Sequence, residues 1–252
     1  MNMRERNLDP MTAARRGARA ALPKRFYQAA TVGEREGAFA LLLDGKPART
    51  PAKHALALPS RAFAEAVAAE WAAQGEFIDP ATMPLTRLVQ VAIDRVAGEA
   101  AAVAAEIVQY AGTDLLLYRA AEPEGLVAAQ TEHWDPVLAW AETALRAKFV
   151  RAEGVRHVAQ PEAAIAAVRA EIARYAPPFQ LGALASLTNL SGSALLALAL
   201  GRGRLDPDAA WAAAHVDEDW NIKKWGADAE AVRRRAARYA EFDAAVRMLA
   251  LL

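Results

Sequence analysis

A carboxylate set in the middle of an apolar helical stripe constrains this chain more than any other feature. Around the segment HVDEDWNIKKWG, residues 215–226, the side chains of Trp211, His215, Glu218, Ile222 and Trp225 recur at helical spacing. At about 100° per residue they fall within roughly 40° of one line. Glu218 therefore faces what the tryptophans face. An ionised carboxylate sealed in a core is costly unless it is paired and hydrogen-bonded. The stripe thus predicts a buried cation, a bound partner, or a face open to solvent. Asp217 and Asp219 flank it but point roughly 80–120° away, which makes them weaker candidates.

Charge narrows the partner. Among 252 residues, Lys plus Arg number 30 and Asp plus Glu number 30, so bulk charge gives no reason to expect nucleic acid, an anionic membrane or an acidic substrate. The start is uneven. Arg4, Arg6, Arg15, Arg16, Arg19, Lys24 and Arg25 face only Glu5 and Asp9, and residues 1–21 read as a flexible basic leader rather than a transit peptide. Cysteine is absent, which excludes a disulfide framework, a thiol nucleophile and cysteine-ligated metal, and suits a reducing compartment. The longest apolar stretch, Leu181 to Leu200, is interrupted by Thr188, Asn189, Ser191, Gly192 and Ser193; it reads as a buried helix or helix pair rather than a membrane span.

The organisation reads as α+β. Ala38 to Leu43 and Pro47 to Thr50 flank the hairpin signal Asp44-Gly45, and Ala55 to Leu58 alternates before Pro59-Ser60. Ser60 is placed to cap a helix on which Phe63, Val67 and Trp71 share a side, and that helix should cover the sheet. From Leu85 onward helix follows helix. Leu85, Leu88, Val89, Ala92 and Val96 form one face, Val103, Ile107 and Tyr110 another, and Ile165, Val168, Ile172 and Tyr175 a third. Gly98, Gly112 and Pro177-Pro178 punctuate the runs, and Pro136, Pro161 and Pro207 sit where helices can start. The last helix, from about Asp228, should turn Val232, Ala236, Tyr239, Phe242, Val246 and Leu249 inward and Arg233, Arg234, Arg235 and Arg238 outward. The expected architecture is a small antiparallel β-rich domain with a covering helix over 22–90, followed by a larger all-α domain over 91–252.

Catalytic patterns are thin. Four scattered histidines (His54, His133, His157, His215) form neither a zinc-protease motif nor a hydrolase elbow, and Gly201-Arg202-Gly203-Arg204 has no third glycine for a dinucleotide fingerprint. His215 and Glu218 could act as an acid–base or ligand pair, yet no third ligand accompanies them. Trp134-Asp135-Pro136 reads as architectural, with Asp135 capping a helix begun by Pro136. The run Arg233-Arg234-Arg235 reads as a solvated helix face. On residues alone, Glu218 reads as a salt bridge to an arginine or as a recognition group.

The sequence acidic–aromatic–amide–aliphatic–Trp-Gly in this segment resembles the C-terminal signature of the assembly chaperones that look after the alpha subunit of the F-type ATP synthase head. LPKRFYQ (Leu22 to Gln28), LDGKPARTP (Leu43 to Pro51), LALPSRAFAEAVAAEWAAQ (Leu56 to Gln74), IDPATMPLTRL (Ile78 to Leu88), YAGTDLLLYR (Tyr110 to Arg119) and QTEHWDPVLAW (Gln130 to Trp140) resemble that family in the same order. Asn221 stands where the family pattern usually has Gln, and Lys223 where it usually has an acid. The resemblance implies a small strand-bearing domain before an all-helical one. It implies a non-catalytic, monomeric chaperone of the bacterial cytoplasm or mitochondrial matrix, without cofactor, metal, nucleic acid or membrane insertion. Its partner would be the alpha subunit, met through Glu218 together with Asp219, Trp211, His215, Ile222 and Trp225. The rival readings are a helical small-molecule enzyme using His215 and Glu218, and a docking scaffold within a larger complex.

Overall fold

Asp44 and Gly45 both have left-handed backbone angles, φ 49° and 77°, and the two-residue turn they make sets Leu43 opposite Lys46. Such a turn matches the twist of the strands it joins, and glycine supplies the positive φ without a Cβ clash. The computed structural model describes residues 22–35, 37–154 and 157–252; the basic leader expected over residues 1–21 lies outside them. Four antiparallel strands form the N-terminal sheet: β1 (Ala30–Arg35), β2 (Ala38–Leu43), β3 (Lys46–Pro47) and β4 (Ala57–Leu58). β2 is central and pairs with the other three. The strand expected over Pro47 to Thr50 is only Lys46–Pro47; beyond it the Ala48 N–H donates to the Leu41 carbonyl at 2.9 Å and the Thr50 N–H to the His54 carbonyl at 3.0 Å, across a turn at Lys53, φ 68°.

Helix α1 (Arg61–Ala72) begins where Ser60 Oγ accepts the Phe63 N–H at 3.1 Å, as the capping signal predicts. Its buried Phe63 and Val67 meet Leu41, Leu43, Leu56 and Leu58 of the sheet region in one apolar cluster. Glu70 on the outer turn of α1 then caps the next helix, accepting the N–H groups of Leu85 and Thr86 at 2.9 and 2.7 Å.

That helix, α2 (Pro84–Val91), runs through one π-helical turn at Ala92–Val96 into α3 (Ala97–Gly112). The backbone kinks at Glu99 (φ −120°, ψ 24°), beside Gly98. The remaining helices are α4 (Glu124–Ala144), α5 (Glu162–Ile172), α6 (Phe179–Ser191), α7 (Ala194–Gly201), α8 (Pro207–Ala214), α9 (Val216–Trp225) and α10 (Ala229–Ala250). A short parallel pair, β5 (Tyr118–Arg119) and β6 (Ala152–Glu153), lies among them. Leu181 to Leu200 is the buried pair α6–α7, turned by Gly192 at φ 69°. Among the described residues no helix is long and apolar enough to cross a membrane. The larger core gathers Trp134, Leu184, Leu195, Trp211 and Phe242, and α10 reaches both cores, with Ala245 in the larger and Met248 in the smaller.

Two expectations fail here. Pro136 lies inside α4 rather than at a helix start, and Asp135 caps nothing. The interior proline is accommodated because both it and Glu132, whose carbonyl it leaves unpaired, are exposed. Asp135 instead accepts from Arg119 at 2.6 Å and Arg151 at 3.1 Å. The second failure is in α10. Phe242 is buried as expected, but Val232, Ala236 and Tyr239 are exposed, and Arg235 is tucked against α9. No described element covers the first half of that face.

Candidate partner-binding groove

Asp206 accepts the Ala209 N–H at 2.7 Å and starts α8 at Pro207. The helix carries Trp211 inward, where its ring meets Tyr239 and Phe242 edge-on at 5.1 and 5.2 Å between centroids. At His215 the backbone leaves helical geometry (φ −123°, ψ 20°), and α9 sets off on a new course. The stripe predicted from Trp211 to Trp225 is therefore not one continuous helix. The break is fixed by His215, which is 5% exposed and lies over the Trp211 ring at 3.8 Å.

Despite the break, three stripe residues share one open groove. Trp211, Glu218 and Ile222 line it with Ala227, Ala231, Val232, Arg235, Ala236 and Tyr239, enclosing about 370 Å³. His215 does not line the groove but adjoins it, its Nε2 lying 4.0 Å from Glu218 Oε2. Trp225 is not brought in. It stands 79% exposed at the end of α9. Asp219 lies beside the groove and holds Arg235 Nη1 at 2.6 Å.

Glu218 has both an arginine and an opening. Arg235 Nη1 is 3.5 Å from its Oε2, yet the Glu218 side chain is 42% exposed. Arg235 itself, 22% exposed, lies 5.9 Å over the Trp211 ring and makes ion-pair contacts without a well-angled hydrogen bond from Nη1. Half-exposed pairs of this kind contribute little net stability, so the carboxylate is held in place without being consumed. His215 Nδ1 lies 2.8 Å from the Trp211 carbonyl. Burial lowers the His215 pKa, opposed by that hydrogen bond, and the nearby Arg235 lowers it further. Among the described residues no three His, Asp or Glu side chains gather as a metal site.

In the sequence Val232, Ala236 and Tyr239 read as the inward face of their helix and Arg235 as part of its outer face. Their place in the groove was missed. So was the role of Gln130, which ties Asp217 of α9 to α4 at 2.7 Å.

Comparison with known proteins gives this architecture its relatives. The Atu1473 protein of Agrobacterium tumefaciens superposes with a TM-score of 0.88 at 48% identity, over 98% of this chain and 92% of that one. Atp12 of Paracoccus denitrificans gives 0.83 at 45%, over 91% of this chain and 98% of its own, and an aspartate-to-lysine mutant of it matches at 44%. A family model described as ATP12 chaperone protein matches residues 24–142. The fold, an antiparallel sheet with its covering helix ahead of a helical body, is shared with the Atu1473 and Atp12 structures. At these identities and coverages the chain belongs to the ATP12 chaperone family. The groove lies outside the residues that the family model matches.

Proposed function

We propose that this chain is a non-catalytic, monomeric assembly chaperone that binds the unassembled alpha subunit of the F-type ATP synthase head and covers its interface until the beta subunit joins. The observation that carries the reading is the apolar groove in which Glu218 stands open beside Trp211, Ile222, Val232 and Tyr239. Membership of the ATP12 family and the ordered segments resembling the alpha-subunit chaperones support it. A subunit destined for an alternating ring has large apolar faces that self-associate when bare. A chaperone that covers one face keeps the subunit soluble, and binding it less tightly than beta does permits release without ATP. Glu218, Asp219, Trp211, His215, Ile222 and Trp225 remain the proposed contact set, with His215 adjoining Glu218 and Trp225 outside the groove at the end of α9.

The enzyme rival requires His215 and Glu218 to exchange a proton. Their 4.0 Å separation and the engagement of Nδ1 by a carbonyl give that reading no support. The test is coexpression with isolated alpha, followed by addition of beta. Soluble alpha that copurifies with this chain and transfers to beta is the expected result. Alpha that stays insoluble, or a chain that copurifies in fixed stoichiometry with mature ATP synthase, would overturn the proposal in favour of a scaffold.

A further inference from the structure

The unmet chemistry of the groove indicates what it receives. The Trp211 carbonyl can only accept, so His215 Nδ1, 2.8 Å from it, is the protonated ring nitrogen. Burial keeps the ring neutral at pH 7, and its Nε2 then carries a lone pair. Glu218 Oε2, 4.0 Å from that nitrogen, is likewise an acceptor. Among the described residues neither atom receives a hydrogen bond from a side chain or backbone group; Arg235 is the cation paired with Glu218, and Arg238 also acts on the His215 ring.

Charge counting points the same way. Arg235 Nη1 is 2.6 Å from Asp219 and only 3.5 Å from Glu218, so two carboxylates share one guanidinium. Three other charges on the adjoining elements have partners of their own. Arg238 donates to the Leu190 carbonyl, Asp208 accepts from the Tyr239 hydroxyl, and Lys224 lies over Trp220. Glu218, Asp219 and Arg235 together therefore carry one negative charge in excess, beside walls that are apolar.

We propose that the groove is a receptor for a lysine side chain of the partner protein, with His215 Nε2 and Glu218 Oε2 as the two acceptors of its ammonium group. This rests on the reading of the chain as an alpha-subunit chaperone. An ammonium nitrogen roughly 2.8–2.9 Å from two acceptors 4.0 Å apart sees them at roughly 90°, within reach of two of its three donors. A guanidinium fork matches the two oxygens of a single carboxylate better than acceptors on two different side chains. Trp211, Ile222, Val232 and Tyr239 line the groove, and an aliphatic lysine stem buries well against such walls. The chain's own leader is not the source: residues 1–21 contain five arginines and no lysine.

The test is amine-directed acetylation of isolated alpha, free and in complex at saturating concentrations, read lysine by lysine by mass spectrometry. One alpha lysine should be protected about tenfold or more by the wild-type chain and left reactive by Glu218→Gln. Changing that lysine to methionine should weaken binding to the wild type about tenfold or more, and binding to Glu218→Gln no further. A complex in which every lysine stays reactive, or in which Glu218→Gln protects equally well, overturns the lysine receptor and leaves the alpha-subunit reading intact. Failure of alpha to bind at all overturns both.

Discussion

Gln130 Nε2 donates to Asp217 Oδ1 at 2.7 Å, across 87 residues of sequence. The same amide accepts the Ala120 N–H on its oxygen at 2.8 Å, so a buried side chain of α4 ties the exit of β5 to the first turn of α9. One helical turn further along α4, the buried Trp134 indole donates to the Ala213 carbonyl at 2.7 Å, at the end of α8. These two bonds hold the junction on which Trp211 and Glu218 are carried. The QTEHWDP and VDEDW segments, far apart in the chain, are therefore parts of one structural unit.

Removing the Gln130 amide should cost more than an exposed hydrogen bond, because it strands the Ala120 N–H and a partly exposed carboxylate. Gln130→Ala should lower stability by about 1–3 kcal/mol. Gln130→Glu should cost at least as much, since it sets a second carboxylate against Asp217. Denaturant midpoints at constant m-value check both; an unchanged midpoint for Gln130→Ala would show that the junction is held without it.

Trp134 and Trp225 make a matched pair with opposite expectations. Trp134 is fully buried, so Trp134→Ala should cost about 3–5 kcal/mol through the cavity it leaves. Trp225 is almost fully exposed, and Trp225→Ala should change stability by no more than about 0.5 kcal/mol. If Trp225 serves the partner, its loss should appear instead as weaker capture of alpha. Thermal unfolding and pull-down of alpha on the same variants separate the two effects.

Asp114 should make stability depend on pH in an unusual direction. It is fully buried, accepts the Leu116 and Leu195 N–H groups at 3.1 and 3.0 Å, and burial raises its pKa from 3.8 to about 6. With the folded pKa above the unfolded one, the folded chain binds a proton that the unfolded chain releases. That stabilisation is complete below pH 3.8 and is lost as pH rises towards 6. At about 1.4 kcal/mol per pKa unit the effect approaches about 3 kcal/mol. The measurement is the stability of the wild type relative to Asp114→Asn, which should rise by that order as pH falls from 6 to 4. A gap that stays constant would place the Asp114 pKa near its ordinary value.

Local signals carried much of the fold. Asp44-Gly45 marked its hairpin, Ser60 its helix cap, Pro207 a first helical position, and Asp228 the approximate start of the last helix. Strand β1 escaped notice because ATVGER has no firm alternation; it is a strand because β2 lies beside it, in register from Ala30–Leu43 to Arg35–Ala38. Pro136 misled for the same reason in reverse, since whether a proline starts a helix or rides inside one depends on what lies against its carbonyl neighbour.

The amino-acid order by itself determined that Glu218 and Ile222 share one face of α9, because side chains four apart in a helix point the same way; that Trp211 of the preceding helix joins them was decided by the fold. The order could not determine the bend at His215, the exposure of Trp225, or the emergence of Val232 and Tyr239 from the expected core. Those depend on which distant element covers which face, and Val232, Ala236 and Tyr239 are left exposed by the described elements. The pairing of Asp219 with Arg235, and the open position this leaves at Glu218, likewise arise only where two helices cross. Periodicity acts over neighbours in sequence, whereas burial and ion pairing are set by contacts that the chain makes only once it has folded.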